Sequence, residues 1–340
     1  MKAFVIRGAG DSFMTEVDEP AIRDELDVKV QVESVGICGT DIKIFEGHHS
    51  QSVGCDRIPG HEFAGVVSEV GSGVTTLKVG DRVVHEPIEY CGTCYACRRG
   101  EVNVCKNLKV TGCNMSGGLE EYFVAHERQW HKIPDSISWN EAAMIEPYTI
   151  AGHACARAEI TPGDFVMIYG AGPIGLAIAD IAMNNGTEVA ISEISDGRIE
   201  IAKQMGIQHV IDSKTESFRD TVMELTGGEG PNVVFECAGF ASFAEEAMEI
   251  LSPAGRFVPL APVTFSCDAY WMTRKQVRLV TARLQVGQFA PIIKNFEKYR
   301  KNIDTMITDT FDFEDSRKAF EYACARNPKT GKVVIRFNKN

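Results

Sequence analysis

The run Gly170-Ala171-Gly172-Pro173-Ile174-Gly175 constrains this chain more than any other segment. It stands between an apolar, β-branched stretch, Phe165–Tyr169, and a stretch with helical apolar spacing, Ile174–Asn184. A G-x-G-x-x-G in that context closes a strand tightly and opens a helix. Gly170 allows the turn, Gly172 lets the backbone approach a pyrophosphate, and Gly175 lets helix and strand lie close. With Pro173 and Ile174 between them, they form the expected cofactor-binding loop, where amides at a helix N-terminus face phosphates. About twenty residues on, Glu193 ends the next predicted strand. A carboxylate there accepts hydrogen bonds from ribose hydroxyls and repels a 2′-phosphate, so NAD is expected over NADP. Arg198 qualifies that preference, since arginine can accommodate a 2′-phosphate.

The pattern on either side gives the architecture. Before the glycine run the chain is β-rich: Val28–Val35, Phe63–Val70 and Arg82–Val84 are β-branched runs separated by glycine turns. Trp139–Glu159 has helical spacing. After it, Phe165–Tyr169, Glu188–Ile191, Val233–Glu236 and Gly255–Leu260 read as strands, with helices at Ile174–Asn184, Arg198–Met205 and Phe243–Leu251. That alternation implies a parallel sheet covered on both faces. The last fifty residues leave the rhythm, with turn and helix over Phe311–Tyr322 and a closing strand at Gly331–Ile335. With 340 residues, two domains are expected.

Cys91, Cys94, Cys97 and Cys105 follow the spacing C-x2-C-x2-C-x7-C. Four thiolates so placed converge on one tetrahedral zinc, and such a closed site leaves no position open for chemistry. A zinc ribbon for nucleic acid would share the pattern. Arg98-Arg99 is its only basic support, and the net charge of −12 opposes both nucleic acid and an anionic membrane as partners. Of the eleven cysteines, four cluster at a metal spacing, and the N-terminus reads as a strand, so a reduced cytoplasmic compartment is expected. The longest apolar stretch, Phe165–Ala179, carries glycines and a proline that break a membrane helix.

In order along the chain stand GICGTD around Cys38, Pro59-Gly60-His61-Glu62-x2-Gly65-x5-Gly71-x2-Val74, the four-cysteine loop, Glu146-Pro147 and the glycine run. This series resembles the zinc-dependent medium-chain dehydrogenases/reductases over essentially the whole length. Within them it resembles the polyol branch: sorbitol, threonine, galactitol-phosphate and galactonate dehydrogenases.

The resemblance implies an α/β chain of two domains. A GroES-like, β-rich catalytic domain takes residues 1–149 and 287–340, and a Rossmann NAD-binding domain takes 150–286. The active site is expected in the cleft between them. The resemblance also implies a second, catalytic zinc held by Cys38 and His61 with a carboxylate. Glu62 and Glu146 both stand at family positions for that carboxylate, and members differ in which binds directly. Zinc there acts as a Lewis acid toward the substrate oxygen, and hydride passes to the nicotinamide. Thr40 matches the hydroxyl residue that takes part in the family's proton relay. Lys43 stands where members often have histidine, and His48 or His49 could substitute. Arg283 matches an arginine that contacts substrate hydroxyls, and Phe45 an aromatic near the pocket. Cys55, Cys113, Cys155, Cys237, Cys267 and Cys324 are expected mostly as small buried residues.

The expected activity is NAD-linked oxidation of a secondary alcohol of a polyol, sugar or sugar acid, within carbohydrate metabolism. A homodimer or homotetramer carrying two zinc ions per chain is expected. Rival readings are action on a simple primary alcohol or aldehyde, and a non-catalytic NAD-binding sensor.

Overall fold

The computed structural model describes residues 1–48, 56–325 and 330–337. The chain forms two units. The first comprises Met1–Glu146, Phe289–Lys294 and Ile307–Asn340; the second comprises Pro147–Gln288 and Asn295–Met306.

The first unit is built on a seven-stranded sheet. Its central strand, Asp27–Gly36, pairs antiparallel with Glu62–Val70, Tyr122–His126 and Lys332–Arg336. Val28, Val30, Val32 and Val35 are buried, as β-branched side chains packing on a pleated surface should be. Their core includes Phe4, Phe63, Phe123, Trp130 and Phe320. The register places Gly36 opposite both Glu62 and Val334. The C-terminal segment therefore lies one strand away from the His61-Glu62 pair. Ile307–Asp312 adds a parallel strand beside Lys332–Arg336, so Phe311 belongs to a strand and the helix begins at Ser316.

In the second unit the strands His209–Asp212, Glu188–Glu193, Phe165–Tyr169, Val233–Glu236, Arg256–Pro259 and Arg278–Leu279 lie side by side, all parallel. Numbered along the chain this is the order 3-2-1-4-5-6 of a doubly wound nucleotide-binding sheet. The strand Phe165–Tyr169 is buried throughout, as a central parallel strand covered on both faces must be.

Two segments differ from the sequence expectation. The spacing over Trp139–Glu159 belongs to two helices, Trp139–Ala142 and Ile145–Arg157. Residues 207–232, unassigned by periodicity, hold the strand His209–Asp212 and the helix Phe218–Leu225. The strand is too short and too mixed to show a period.

Candidate metal centre and cofactor loop

The strand Asp27–Gly36 ends beside Cys38, which caps the helix Gly39–Phe45. Asp41, two residues into that helix beyond Gly39, is wholly buried. One carboxylate oxygen of Asp41 accepts the Cys38 amide at 2.9 Å, and the other accepts the Gly60 amide at 3.2 Å. Asp41 thereby joins the segment holding Cys38 to the segment holding His61. Gly60 needs its glycine, because its φ of +95° lies in the left-handed region.

The ligand atoms of Cys38, His61 and Glu62 all lie within 4.8 Å of one another. His61 is 7% exposed, Glu62 2% and Glu146 3%. His61 Nδ1 stands 3.7 Å from Asp41 and has no hydrogen-bond partner among the described residues. Burial opposes a charge on His61, but Cys38 and Asp41 outweigh it and hold the imidazole well above its ordinary value. Burial pushes the Cys38 thiol up, against the pull of His61. Burial also pushes Glu146 up to about 7, with Glu62 adding to the rise and His61 and Lys332 opposing it. A thiol, an imidazole and carboxylates gathered out of water are the donors zinc takes. An orphaned imidazole nitrogen among them fits such an ion better than it fits a packed core.

Lys332 is 2% exposed and forms an ion pair with Glu62. Burial disfavours its charge, yet Glu62 and Cys38 hold its pKa above the ordinary value. Sequence reading missed Lys332 and Asp41. An Asp three residues after a capping Cys is a legible signal for the second. Nothing in Gly331-Lys332-Val333 marks the first, since its role comes from register.

The second cluster is the four-cysteine loop, where Sγ atoms lie 3.5 Å apart for Cys94–Cys97, 3.9 Å for Cys94–Cys105 and 3.5 Å for Cys91–Cys105. A tetrahedron with Zn–S bonds of about 2.3 Å has edges of about 3.8 Å, so these residues fit zinc. The amides of Thr93 and Cys94 hold Cys91 down at about 6, which favours the thiolate.

In the second unit, Gly170 has φ +94°. A Cβ at Gly175 would overlap the Gly170 carbonyl oxygen, whereas one at Gly172 would meet nothing within 4 Å. That is the pattern of a tight turn with an open approach on one side. Gly172 caps the helix Pro173–Asn184, with Pro173 in its first turn. Glu193 accepts the Ala171 amide at 3.0 Å on one oxygen, and those of Ile194 (2.8 Å) and Ser195 (3.0 Å) on the other. Arg198 approaches Glu193 to 3.8 Å. Glu236, also missed in the sequence, is buried at the end of the adjacent strand and accepts the Ala238 and Gly239 amides at 2.9 and 2.6 Å.

The other expected residues scatter. Thr40 is half-buried, Lys43 is exposed, and exposed His48 stands 3.5 Å from Glu46. His49 and Cys55 lie outside the described residues. Phe45, expected near a substrate, is a core residue whose ring packs 5.3 Å from Phe320, because its helix turns that face inward. Arg283 is an exposed residue of the second unit. Cys155 fits the buried expectation, Cys237 and Cys324 are half-buried, and Cys267 corrects it by being exposed.

Residues 24–135 match the alcohol dehydrogenase GroES-like domain, and residues 173–298 match the zinc-binding dehydrogenase domain. A sorbitol dehydrogenase of Halalkalibacterium halodurans is 32% identical over 331 residues, covering 94% of this chain and 95% of its own. A 2-dehydro-3-deoxy-L-galactonate 5-dehydrogenase of Pseudoalteromonas atlantica is 30% identical, covering 98% and 99%. The crystal structure of an Escherichia coli alcohol dehydrogenase, RspB, complexed with NADH superposes with a TM-score of 0.92 at 32% identity, covering 99% of each chain.

Proposed function

Because this chain belongs to the zinc-type medium-chain dehydrogenases, in their polyol branch, we propose that it oxidises a secondary alcohol of a polyol, sugar or sugar acid with NAD. The observation that carries the reading is the convergence of Cys38, His61 and Glu62 in a buried pocket of donors. The NADH complex of the Escherichia coli relative supports NAD as the cofactor. Zinc, when bound by Cys38, His61 and a carboxylate, supplies Lewis acidity, and NAD supplies the hydride acceptor.

The chain's own residues do the remaining work. Asp41 fixes the relative positions of Cys38 and His61 through two backbone amides. Lys332 restrains Glu62, and buried Glu146, whose carboxyl is pushed up to about 7, is the other candidate carboxylate. Thr40 accepts the substrate hydroxyl proton and passes it outward, where Lys43 and His48 stand in solvent. Gly172 and the first turn of its helix receive the pyrophosphate, and Glu193 the adenosine ribose. The four-cysteine loop holds a structural zinc. The working form is a cytoplasmic homodimer or homotetramer. No helix among the described residues is long and apolar enough to cross a membrane.

A panel of polyols, sugars, sugar acids and simple alcohols, read by NADH formation, tests the proposal. Turnover of polyol-type substrates is expected, with Cys38→Ala losing activity together with roughly one zinc per chain. Failure on every polyol and sugar acid, or full activity in Cys38→Ala, would overturn it.

A further inference from the structure

Glu120 stands on extended chain that bridges antiparallel to Ala3. Leu119 turns into the core, and the next side chain along an extended segment turns the opposite way. There Glu120 lines a cleft of about 450 Å³ within the first unit. None of Cys38, His61, Glu62 and Glu146 lines that cleft. Glu120 is 6% exposed, and its carboxyl has no hydrogen-bond partner among the described residues. A buried carboxylate in that state carries a desolvation penalty that a donor would offset.

The other charged groups of the cleft are engaged elsewhere. One Asp27 oxygen accepts the amides of Arg23 and Asp24 at 3.1 Å each, and Asp24 accepts that of Leu26 at 3.0 Å. Glu89 pairs with Lys109 at 3.5 Å. Arg128 lies over the Tyr90 ring at 4.5 Å, and His126 accepts the Arg128 amide at 3.2 Å. Arg23 is exposed, and burial alone raises the Glu120 carboxyl, so neither guanidinium neutralises it. Four carboxylates against two guanidiniums favour a cation in the cleft. A metal ion is disfavoured, because the groups of three or more metal-type donors among the described residues are the four-cysteine loop and Cys38-His61-Glu62. Pro20, Met115, Phe123 and Val124 supply apolar wall, which suits an organic ion.

We propose that this cleft binds a primary ammonium ion with a short aliphatic chain, the ammonium on Glu120 and the chain along Pro20, Met115 and Phe123. An ammonium group brings both the positive charge and the N–H donors that Glu120 lacks. It binds the ionised carboxylate, so a proton held by Glu120 leaves to solvent. No covalent bond to the ligand forms and no electrons are transferred. The inference is independent of the metal and substrate readings above.

Thermal melts and calorimetric titration of the zinc-loaded full chain give the test. The probes are n-butylammonium chloride and, as a cation without N–H donors, tetramethylammonium chloride at equal ionic strength. At pH 8.5, n-butylammonium is expected to bind saturably and raise the melting temperature, and tetramethylammonium to do neither. Affinity should weaken roughly tenfold for each pH unit below about 8, with release of up to one proton. Glu120→Gln keeps the shape of the side chain and should bind n-butylammonium at least about tenfold more weakly, with no pH dependence. Equal responses to the two cations, no saturation by about 50 mM, or undiminished binding in a folded Glu120→Gln would each overturn the inference.

Discussion

Lys332 Nζ rests against a carboxylate oxygen of Glu62, and neither side chain is more than 3% exposed. A lone charge in such a place would cost several kcal/mol, and the pair is tolerated because each partner offsets the other's desolvation. Lys332→Met would leave Glu62 as a buried, uncompensated carboxylate. The expected loss is about 3–5 kcal/mol in denaturant unfolding. Adding Glu62→Gln should restore most of it, because the second change removes the orphaned charge. Equal losses in the single and double variants would show that the pair is not the source.

Room for this pair comes from Gly36. A Cβ there would stand 2.9 Å from Lys332 Cε and would overlap a Glu62 oxygen outright. Gly36→Ala is expected to cost about 1–3 kcal/mol from overpacking and to lower activity by displacing Glu62. Gly8→Ala serves as a control, since nothing lies within 4 Å of its added methyl group. It should stay within about 0.5 kcal/mol of wild type.

The sequence made the second unit legible because its signals are local. Strand, glycines, helix and Glu193 fall within thirty residues, and each has its own period or turn chemistry. Cys91 to Cys105 were readable for the same reason. The Cys38 pocket was readable only in part. Cys38 and His61 lie 23 positions apart in the chain, and the resemblance rather than the spacing joined them. Lys332 enters through sheet register, which leaves no periodic trace. Phe45 packs in the core, and an apolar residue on a short helix reads the same whether it faces a pocket or the core.

Glu193 already accepts three backbone amides, and those bonds hold its carboxylate beside the glycine turn. Replacing it removes both the ribose acceptor and this brace. Glu193→Ala should lower kcat/KM for NAD roughly 10–100-fold, at about 1–1.5 kcal/mol for each ribose bond lost. Use of NADP should fall less, or rise, because the repulsion of a 2′-phosphate disappears and Arg198 remains. Steady-state kinetics with both cofactors decide the matter, and an unchanged NAD/NADP ratio would count against the assignment.

The four-cysteine loop should matter to stability before chemistry. Cys97→Ser is expected to lose roughly one zinc per chain and to melt at lower temperature, by about 2–4 °C for each kcal/mol lost. The kcat of the surviving folded fraction should stay near wild type. Zinc analysis with thermal melts checks this, and a collapse of kcat at unchanged melting temperature would assign the loop a different role.

Glu120 supplies a pH dependence that is independent of any metal. It is 6% exposed, and burial alone pushes its carboxyl up to about 8 from the ordinary 4.5. In the folded chain it therefore keeps its proton up to about pH 8, while the unfolded chain releases it above about 4.5. Between those values the folded state binds the extra proton, so stability falls as pH rises. The slope is about 1.4 kcal/mol per pH unit for one group, an upper figure for a site that can relax. Above pH 8 the penalty is complete and constant. Glu120→Gln keeps the shape and removes the titration. The variant should match wild type near pH 5 and become increasingly more stable than it toward pH 8, as read by denaturant unfolding across that range. A difference that does not grow with pH would show that the Glu120 carboxyl is solvated or paired in solution.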